Sequence, residues 1–477
     1  MPNIFTKLLF VAVLLQWCVG VVAQENSATH QYEQIARELC NMMDMDCAST
    51  IKLDNAGVEI LKTASTKGDL NATASLGACY YLGVGVAQNK SKASEAFLKS
   101  AFSGNVYGMW GIAVCLLDGF GIAKDEKMAV SFLKKASDKK YPNAMNLLGS
   151  CYYKGVGVER NYKKAVELFS EAVKGGSNRA KVSLARAYID GKGIAQDVNK
   201  ARVLLTNASK AGNAVAQNNL GVFYLEGLDG FKDEFMAIKW FTESAKNKYQ
   251  PAMLVLGMSY LQGMGVVQNQ EKGFALIKET ANLGSAEAQN TLGMCYANGY
   301  GTEINMQRAF QEYKKSALQG YAVAQSNLAE CYFNGTGCEE DKKEAVKWYR
   351  RAALQGNVSA QCKLGICYLS GLGTVKSVTN AIKWLKKSAD AGDVIAQSNL
   401  GVCYINSEGA DQNIPEGIKY LKMSAEKEDP QAMATLGACY YNGIGVEQNT
   451  IKGIDLLRKA SKAGNMEARK ALSRIRR

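Results

Sequence analysis

Leu76-Gly-Ala-Cys-Tyr-Tyr-Leu-Gly-Val-Gly-Val-Ala-Gln-Asn89 returns almost unchanged as Leu436-Gly-Ala-Cys-Tyr-Tyr-Asn-Gly-Ile-Gly-Val-Glu-Gln-Asn449. Related copies fill the interval at a constant step of 36 residues, with leucines at Leu148, Leu184, Leu220, Leu256, Leu292, Leu328, Leu364 and Leu400, and Ile112 in the remaining place. A fixed period of about 20–50 residues marks an array in which each unit packs only on its neighbours. The 477 residues therefore read as one extended series of repeats rather than as several globular domains.

Within a copy, alanine precedes the leucine by four residues (Ala72, Ala144, Ala180, Ala216) and tyrosine follows it by four (Tyr80, Tyr152, Tyr188). Apolar residues at that spacing define the buried face of a helix, here helix A. The glycine after the leucine (Gly77, Gly149, Gly221) costs about 1 kcal/mol inside a helix, so its recurrence predicts a backbone approach too close for a side chain. A Gly-x-Gly turn follows, as in Gly83/Gly85 and Gly155/Gly157, its first glycine suited to a left-handed cap. A column of Asn89, Asp125, Asn161, Asp197 and equivalents supplies N-caps for a second helix, B. Helix B carries small residues such as Ala93, Ala129 and Ala165, with Trp240, Trp348 and Trp384 as large knobs three residues after their alanines. It closes at a glycine such as Gly104 or Gly176. Pro142, Pro251, Pro415 and Pro430 fall at predicted helix starts, where a missing N–H costs little.

A helix pair with the pattern Ala-x-x-x-Leu-Gly-x-x-Tyr-x-x-Gly-x-Gly-Val-x-x-Asp/Asn resembles the Sel1-like repeat, a relative of the tetratricopeptide repeat. The resemblance covers residues 33 to 477. It implies an all-α, right-handed α/α superhelical solenoid that acts as a scaffold or adaptor. The organisation expected is a signal peptide over 1–23, a tail over 24–32, a degenerate capping repeat over 33–68, eleven repeats over 69–464 and a capping helix over 465–477. The signal reading rests on Lys7, the apolar run Leu8 to Leu15 and the small residues before Gln24. That run is too short to span a bilayer, and no other stretch has the length. The expected location is periplasmic or extracellular. An ER-luminal adaptor is the alternative, disfavoured because the chain ends Arg474-Ile-Arg-Arg477 without a retention signal.

Chemistry has few places to reside. The single histidine, His30, lies in the expected tail, so no histidine-based triad or zinc set can form in the repeats. No enzyme activity, metal or cofactor is expected. Ser131-Phe-Leu-Lys134 matches the Ser-x-x-Lys of penicillin-interacting enzymes, and some cysteine-rich relatives of this repeat type have been linked with β-lactams. Its partner motifs are missing and it falls within a helix B, which makes a chance match the better account. Eight of thirteen cysteines share one column (Cys79, Cys115, Cys151, Cys295, Cys331, Cys367, Cys403, Cys439). Stacked helices lie about 8–10 Å apart, beyond the roughly 7 Å limit for a disulfide, so the column reads as buried packing. Cys40 with Cys47 is a candidate disulfide, and Cys338 with Cys331 or Cys362 a weaker one.

Two surfaces are candidates for partners. Asn218, Asn219, Asn290, Asn327 and Asn399 precede the leucines on helix A. In tetratricopeptide relatives that helix lines the concave groove, where an amide ladder would hold an extended peptide, a folded protein surface or sugar hydroxyls. Lys314/Lys315, Arg350/Arg351 and Lys386/Lys387 form a basic stripe on helix B. Net charge is +13, and residues 451–477 hold nine basic against two acidic residues. An acidic protein, polysaccharide or anionic surface fits this balance better than nucleic acid, for which no motif is present. For both surfaces the plain reading is a solvated polar face.

Overall fold

A computed structural model of the protein describes Ala36, Leu39, residues 55–406 and residues 413–475. The expected signal segment, His30 and the Cys40/Cys47 pair lie outside these residues. The described residues form α-helices joined by short turns, with no strand among them. After a first helix, Asn55–Thr66, helix A starts at Leu70, Val106, Pro142 and onward to Pro430, and helix B at Lys90, Glu126, Tyr162 and onward to Thr450, both every 36 residues. The last helix is Met466–Ile475. Repeats are numbered 1 to 11 from residue 69. The chain divides into two compact units at Gln268/Asn269. The first holds repeats 1–5 and helix A of repeat 6. The second begins with helix B of repeat 6 and runs to the end.

The helix boundaries follow from the caps. Asn89 accepts from the Lys92 N–H at 3.0 Å, Asp125 from Met128 at 2.8 Å and Asn161 from Lys164 at 2.9 Å, and the column continues to Asn449. Each such cap is worth about 1 kcal/mol. At the other end, Gly83 (φ 72°) and Gly155 (φ 77°) adopt the left-handed conformation and donate to the carbonyls of Cys79 and Cys151. The four prolines of the repeats occupy the first turns of their helices.

Two close approaches set the packing, and the first corrects the sequence reading. A Cβ on Gly77 would lie 2.8 Å from the Phe97 ring, one on Gly149 2.6 Å from Phe169, and one on Gly221 2.7 Å from Phe241. In the second unit, Gly293 meets Tyr313, and Gly365 and Gly401 meet Leu385 and Leu421. The helix A glycine thus makes room chiefly for a large side chain of its own helix B. These residues, not the tryptophans, are the constant knobs: Phe97, Leu133, Phe169, Leu205 and Phe241 in the first unit, and Ile277, Tyr313, Tyr349, Leu385, Leu421 and Leu457 in the second, are all buried. Trp348 and Trp384 are buried beside them, whereas Trp240 is only partly so.

The backbone approach occurs instead at the second glycine of the turn. A Cβ on Gly121 would fall 1.9 Å from the Lys90 carbonyl oxygen and one on Gly157 2.3 Å from that of Glu126. Gly337 and Gly373 stand likewise at 2.1 Å from Met306 and 2.0 Å from Lys342. The turns at Gly121, Gly157, Gly193, Gly265, Gly301, Gly337 and Gly373 are therefore pressed onto the start of the preceding helix B, where only glycine fits, whereas Gly230 stands clear and Gly445 meets the Ile414 side chain.

Polar ties add to this within each unit. Buried serines of helix B donate to the first turn of helix A, as in Ser100 to Leu70 (2.8 Å), Ser244 to Ala214 (2.7 Å) and Ser388 to Val358 (2.9 Å). In three repeats a glutamine three residues before the leucine (Gln217, Gln289, Gln325) bridges successive B helices. Gln325 donates to the Ala317 carbonyl at 3.2 Å and accepts from Gln355 at 2.8 Å, and Gln217 does the same with Ser209 and Asn247.

Two stability outcomes follow. Gly149→Ala gains helix propensity yet forces a methyl against Phe169, for a net loss of about 1–2 kcal/mol in chemical denaturation. The loss shrinks in a Phe169→Leu background; an equal loss in both backgrounds contradicts the ring contact. Glu428 holds φ 61° where most repeats carry a glycine, so Glu428→Gly raises stability by about 0.5–1 kcal/mol, and a lowered melting temperature contradicts this.

Candidate binding surface

In the first unit, the A helices of repeats 1–5 border an open cavity of about 420 Å³. Its apolar wall is Tyr81, Val114, Leu147, Val182 and Val215, with Phe169 contributed from a helix B. Lys154, Arg179 and Arg186 stand among its lining residues with a single acid, Asp118. Arg186 lies 3.8 Å from Asp190, which also accepts from the Tyr153 hydroxyl at 2.7 Å. That bond and burial raise the Tyr153 phenol well above its usual pKa, burial being the larger cause. Trp110 and Asn146 line the same cavity from one repeat position, two residues before Ile112 and Leu148. A second cavity, of about 600 Å³, lies where B helices end and A helices begin, beside Lys139, Tyr141 and Asn178.

The five asparagines singled out by sequence do not form a continuous ladder. Asn219 lines the cavity, and Asn218 donates to it at 3.4 Å. In the second unit, Asn327 donates to Asn290 at 2.9 Å across adjacent repeats, and Asn290 is itself only 4% exposed. Asn399 donates to the Ile395 carbonyl of its own helix at 2.8 Å. The reason is register: Asn218 and Asn290 sit two residues before the leucine, the others one, so they belong to two columns. The first column also contains Trp110 and Asn146, which are buried rather than on the exposed face. Their shared position in the repeat is the signal that would have found them.

The basic residues on helix B are exposed as expected, and several are engaged. Lys315 pairs with Glu312 at 2.6 Å, and Arg350 donates to the Tyr368 hydroxyl at 2.6 Å. Lys314, Arg351 and Lys387 lie over the rings of Phe310, Trp348 and Trp384 at 5.9, 4.4 and 4.8 Å. Lys386 is exposed. Exposed pairs of this kind add little to stability, which leaves the cations available to a partner.

All eight column cysteines are buried, as is Cys362; Cys338 is partly exposed in its turn, and Cys331, Cys338 and Cys362 carry free thiols. The proposed link from Cys338 to Cys331 or Cys362 is therefore absent. Burial pushes the Cys79 and Cys115 thiols up to about 12 and the Cys151 and Cys295 thiols up to about 11. Among the described residues, no group of three or more His, Cys, Asp or Glu side chains is placed to hold a metal. Ser131 and Lys134 are exposed on helix B of repeat 2 and line neither cavity described above.

The family model of the Sel1 repeat matches eleven segments: 71–101, 106–141, 142–177, 179–213, 214–249, 250–285, 286–321, 322–357, 358–393, 394–429 and 430–465. The chain belongs to the Sel1 repeat family. Among solved structures it is similar to c5321, a protective antigen present in uropathogenic Escherichia coli strains and displaying an SLR fold. The two share 28% identity and a TM-score of 0.55, over 87% of this chain and 89% of that one. It is also similar to a Sel1 repeat protein from Oxalobacter formigenes, at 25% identity and a TM-score of 0.49, over 64% of this chain and 89% of that one. Comparison with curated proteins found no match. The Sel1 repeat is generally a non-catalytic scaffold suited to protein–protein interaction. No described helix is long and apolar enough to cross a membrane.

The burial of the cysteines has a direct readout. Thiolate is the reactive form, so a soluble alkylating reagent at pH 8, followed by site-resolved mass spectrometry, labels Cys338 well before Cys79, Cys115, Cys151 or Cys295. Labelling of these four at the Cys338 rate contradicts the packing described.

Proposed function

We propose that this Sel1 repeat protein is a secreted or periplasmic scaffold that holds a protein partner along the row of A helices, in contact with a host or another cell surface. The observation that carries the partner assignment is the cavity bordered by the A helices of repeats 1–5, where apolar wall and cationic side chains stand together. Ligand sites are concave, with apolar walls and a few placed polar groups; this cavity is concave, with polar and apolar surface in nearly equal measure. The net charge of +13 favours an acidic partner surface and speeds its encounter. An export route is supported by the apolar run Leu8 to Leu15 behind Lys7. Surface contact is supported by the likeness to the protective antigen of uropathogenic Escherichia coli.

Site-specific photo-crosslinking tests the surface. A photoreactive residue at Asn219, on helix A, gives adducts with a protein partner, whereas one at the exposed helix B residue Glu167 does not. Adducts formed from Glu167 and not from Asn219 overturn the assignment of the A-helix row. The export reading is checked by fusing residues 1–23 to a reporter enzyme; retention of the reporter inside the cell overturns it.

A further inference from the structure

We propose that the cavity bordered by repeats 1–5 is a recognition site for a short, extended peptide segment that presents an apolar residue next to a carboxylate. This rests on the reading of the A-helix row as the partner surface and adds what the partner must offer there.

The decisive feature is a pair of polar atoms without partners. Trp110 Nε1 and Asn146 Oδ1 make no hydrogen bond within the protein. Their residues are 2% and 3% exposed, and both line the cavity. Buried polar groups in folded proteins are nearly always bonded, and each exception calls for a reason. Here the exceptions recur at one repeat position: Asn218, two repeats beyond Asn146 in the same column, also has a buried and partnerless Oδ1. Elsewhere in the repeats Gln217 is tied off by Ser209 and Asn247, whereas Gln397 Oε1, Trp240 Nε1 and Ser209 Oγ are also buried without a partner. A ligand that reaches Trp110 Nε1 and Asn146 Oδ1 from the cavity would relieve the cost left standing there.

The two atoms are of opposite kind. The indole N–H donates and the amide oxygen accepts. A peptide backbone offers both complements, a carbonyl and an N–H, without reference to its side chains. The wall of Tyr81, Val114, Leu147, Val182 and Val215 suits an apolar side chain. Lys154, Arg179 and Arg186 against Asp118 leave the lining with a net charge of +2, three cations less one acid. Arg186 is exposed and its contact to Asp190 is long, so its guanidinium fork can take a carboxylate in two parallel hydrogen bonds. A volume of about 420 Å³ accommodates a few peptide atoms and one side chain and falls within the range of roughly 300–1,000 Å³ found for binding pockets. A bare phosphate or a lipid surface would use the cations but leave the wall and the two orphan atoms unmatched.

The test uses the full chain and a displayed library of random short peptides. Enriched sequences are resynthesised and titrated against wild type, Trp110→Phe, Asn146→Leu, Arg186→Glu and the helix B control Lys386→Glu, each verified as folded by its thermal melt. Enriched peptides are expected to pair apolar with acidic residues. Trp110→Phe keeps the ring and loses the donor, and weakens binding roughly three- to tenfold; Asn146→Leu does the same. Arg186→Glu, at an exposed position that leaves folding intact, abolishes binding, and Lys386→Glu leaves it unchanged. Acidic peptides that bind Arg186→Glu as well as wild type overturn the cavity assignment while leaving an A-helix partner surface standing elsewhere. Enrichment of neutral or basic peptides overturns the carboxylate requirement. Binding of anionic vesicles with no peptide of any composition enriched overturns this proposal and the protein-partner reading together.

Discussion

Eight of the eleven repeats depend on a missing side chain. Where helix A would carry a Cβ, the ring of Phe97, Phe169, Phe241 or Tyr313 from helix B occupies the space. A glycine in mid-helix costs about 1 kcal/mol, yet a fully buried aromatic or leucine side chain returns about 1.5–3 kcal/mol. The exchange is favourable wherever the glycine stands, and it fixes how closely the two helices of such a pair approach. Three repeats keep alanine at that site, at Ala113, Ala185 and Ala329, opposite Leu133, Leu205 and Tyr349. The alternative is therefore accessible to the fold, with the knob and its socket adjusting to one another.

The second glycine of most turns performs a different task. It brings main chain against main chain, at the carbonyl that opens the preceding helix B. Side-chain contact within a pair and backbone contact between pairs thus come from two glycines eight residues apart in the same copy. Serine hydroxyls and bridging glutamines then satisfy helix ends that stacking removes from water, as buried main-chain groups require.

Helix positions, caps, turn types and the burial of the cysteine column were legible in the sequence, because each depends on local chemistry repeated many times. Asn89 caps Lys92 as its residue type demands, and Pro142 opens its helix for the same reason. What stayed hidden was tertiary partnership. Spacing shows that Gly77 must be small, but not that a ring rather than backbone fills the gap. The tryptophans drew attention by size, whereas the constant knob varies among Phe, Leu, Ile and Tyr and so lacks a signature. The candidate site was less legible still. Asn219 was found because asparagines cluster before the leucine, but Trp110 and Asn146 are ordinary core positions by composition. Only coordinates reveal that their polar atoms lack partners.

The bridging glutamines have an evolutionary corollary. Their bonds span eight residues backward and about thirty forward, so each reaches only the nearest copies. In repeats 7 and 8, where Gln289 with Gln319 and Gln325 with Gln355 make matching bonds, excising or duplicating one whole copy would rejoin like donors and acceptors across the new junction. Recombination can therefore lengthen or shorten the array like a ruler cut at its graduations. The reach of the protein, and with it the size of whatever it measures itself against, is then an inherited variable separate from the chemistry of any single notch.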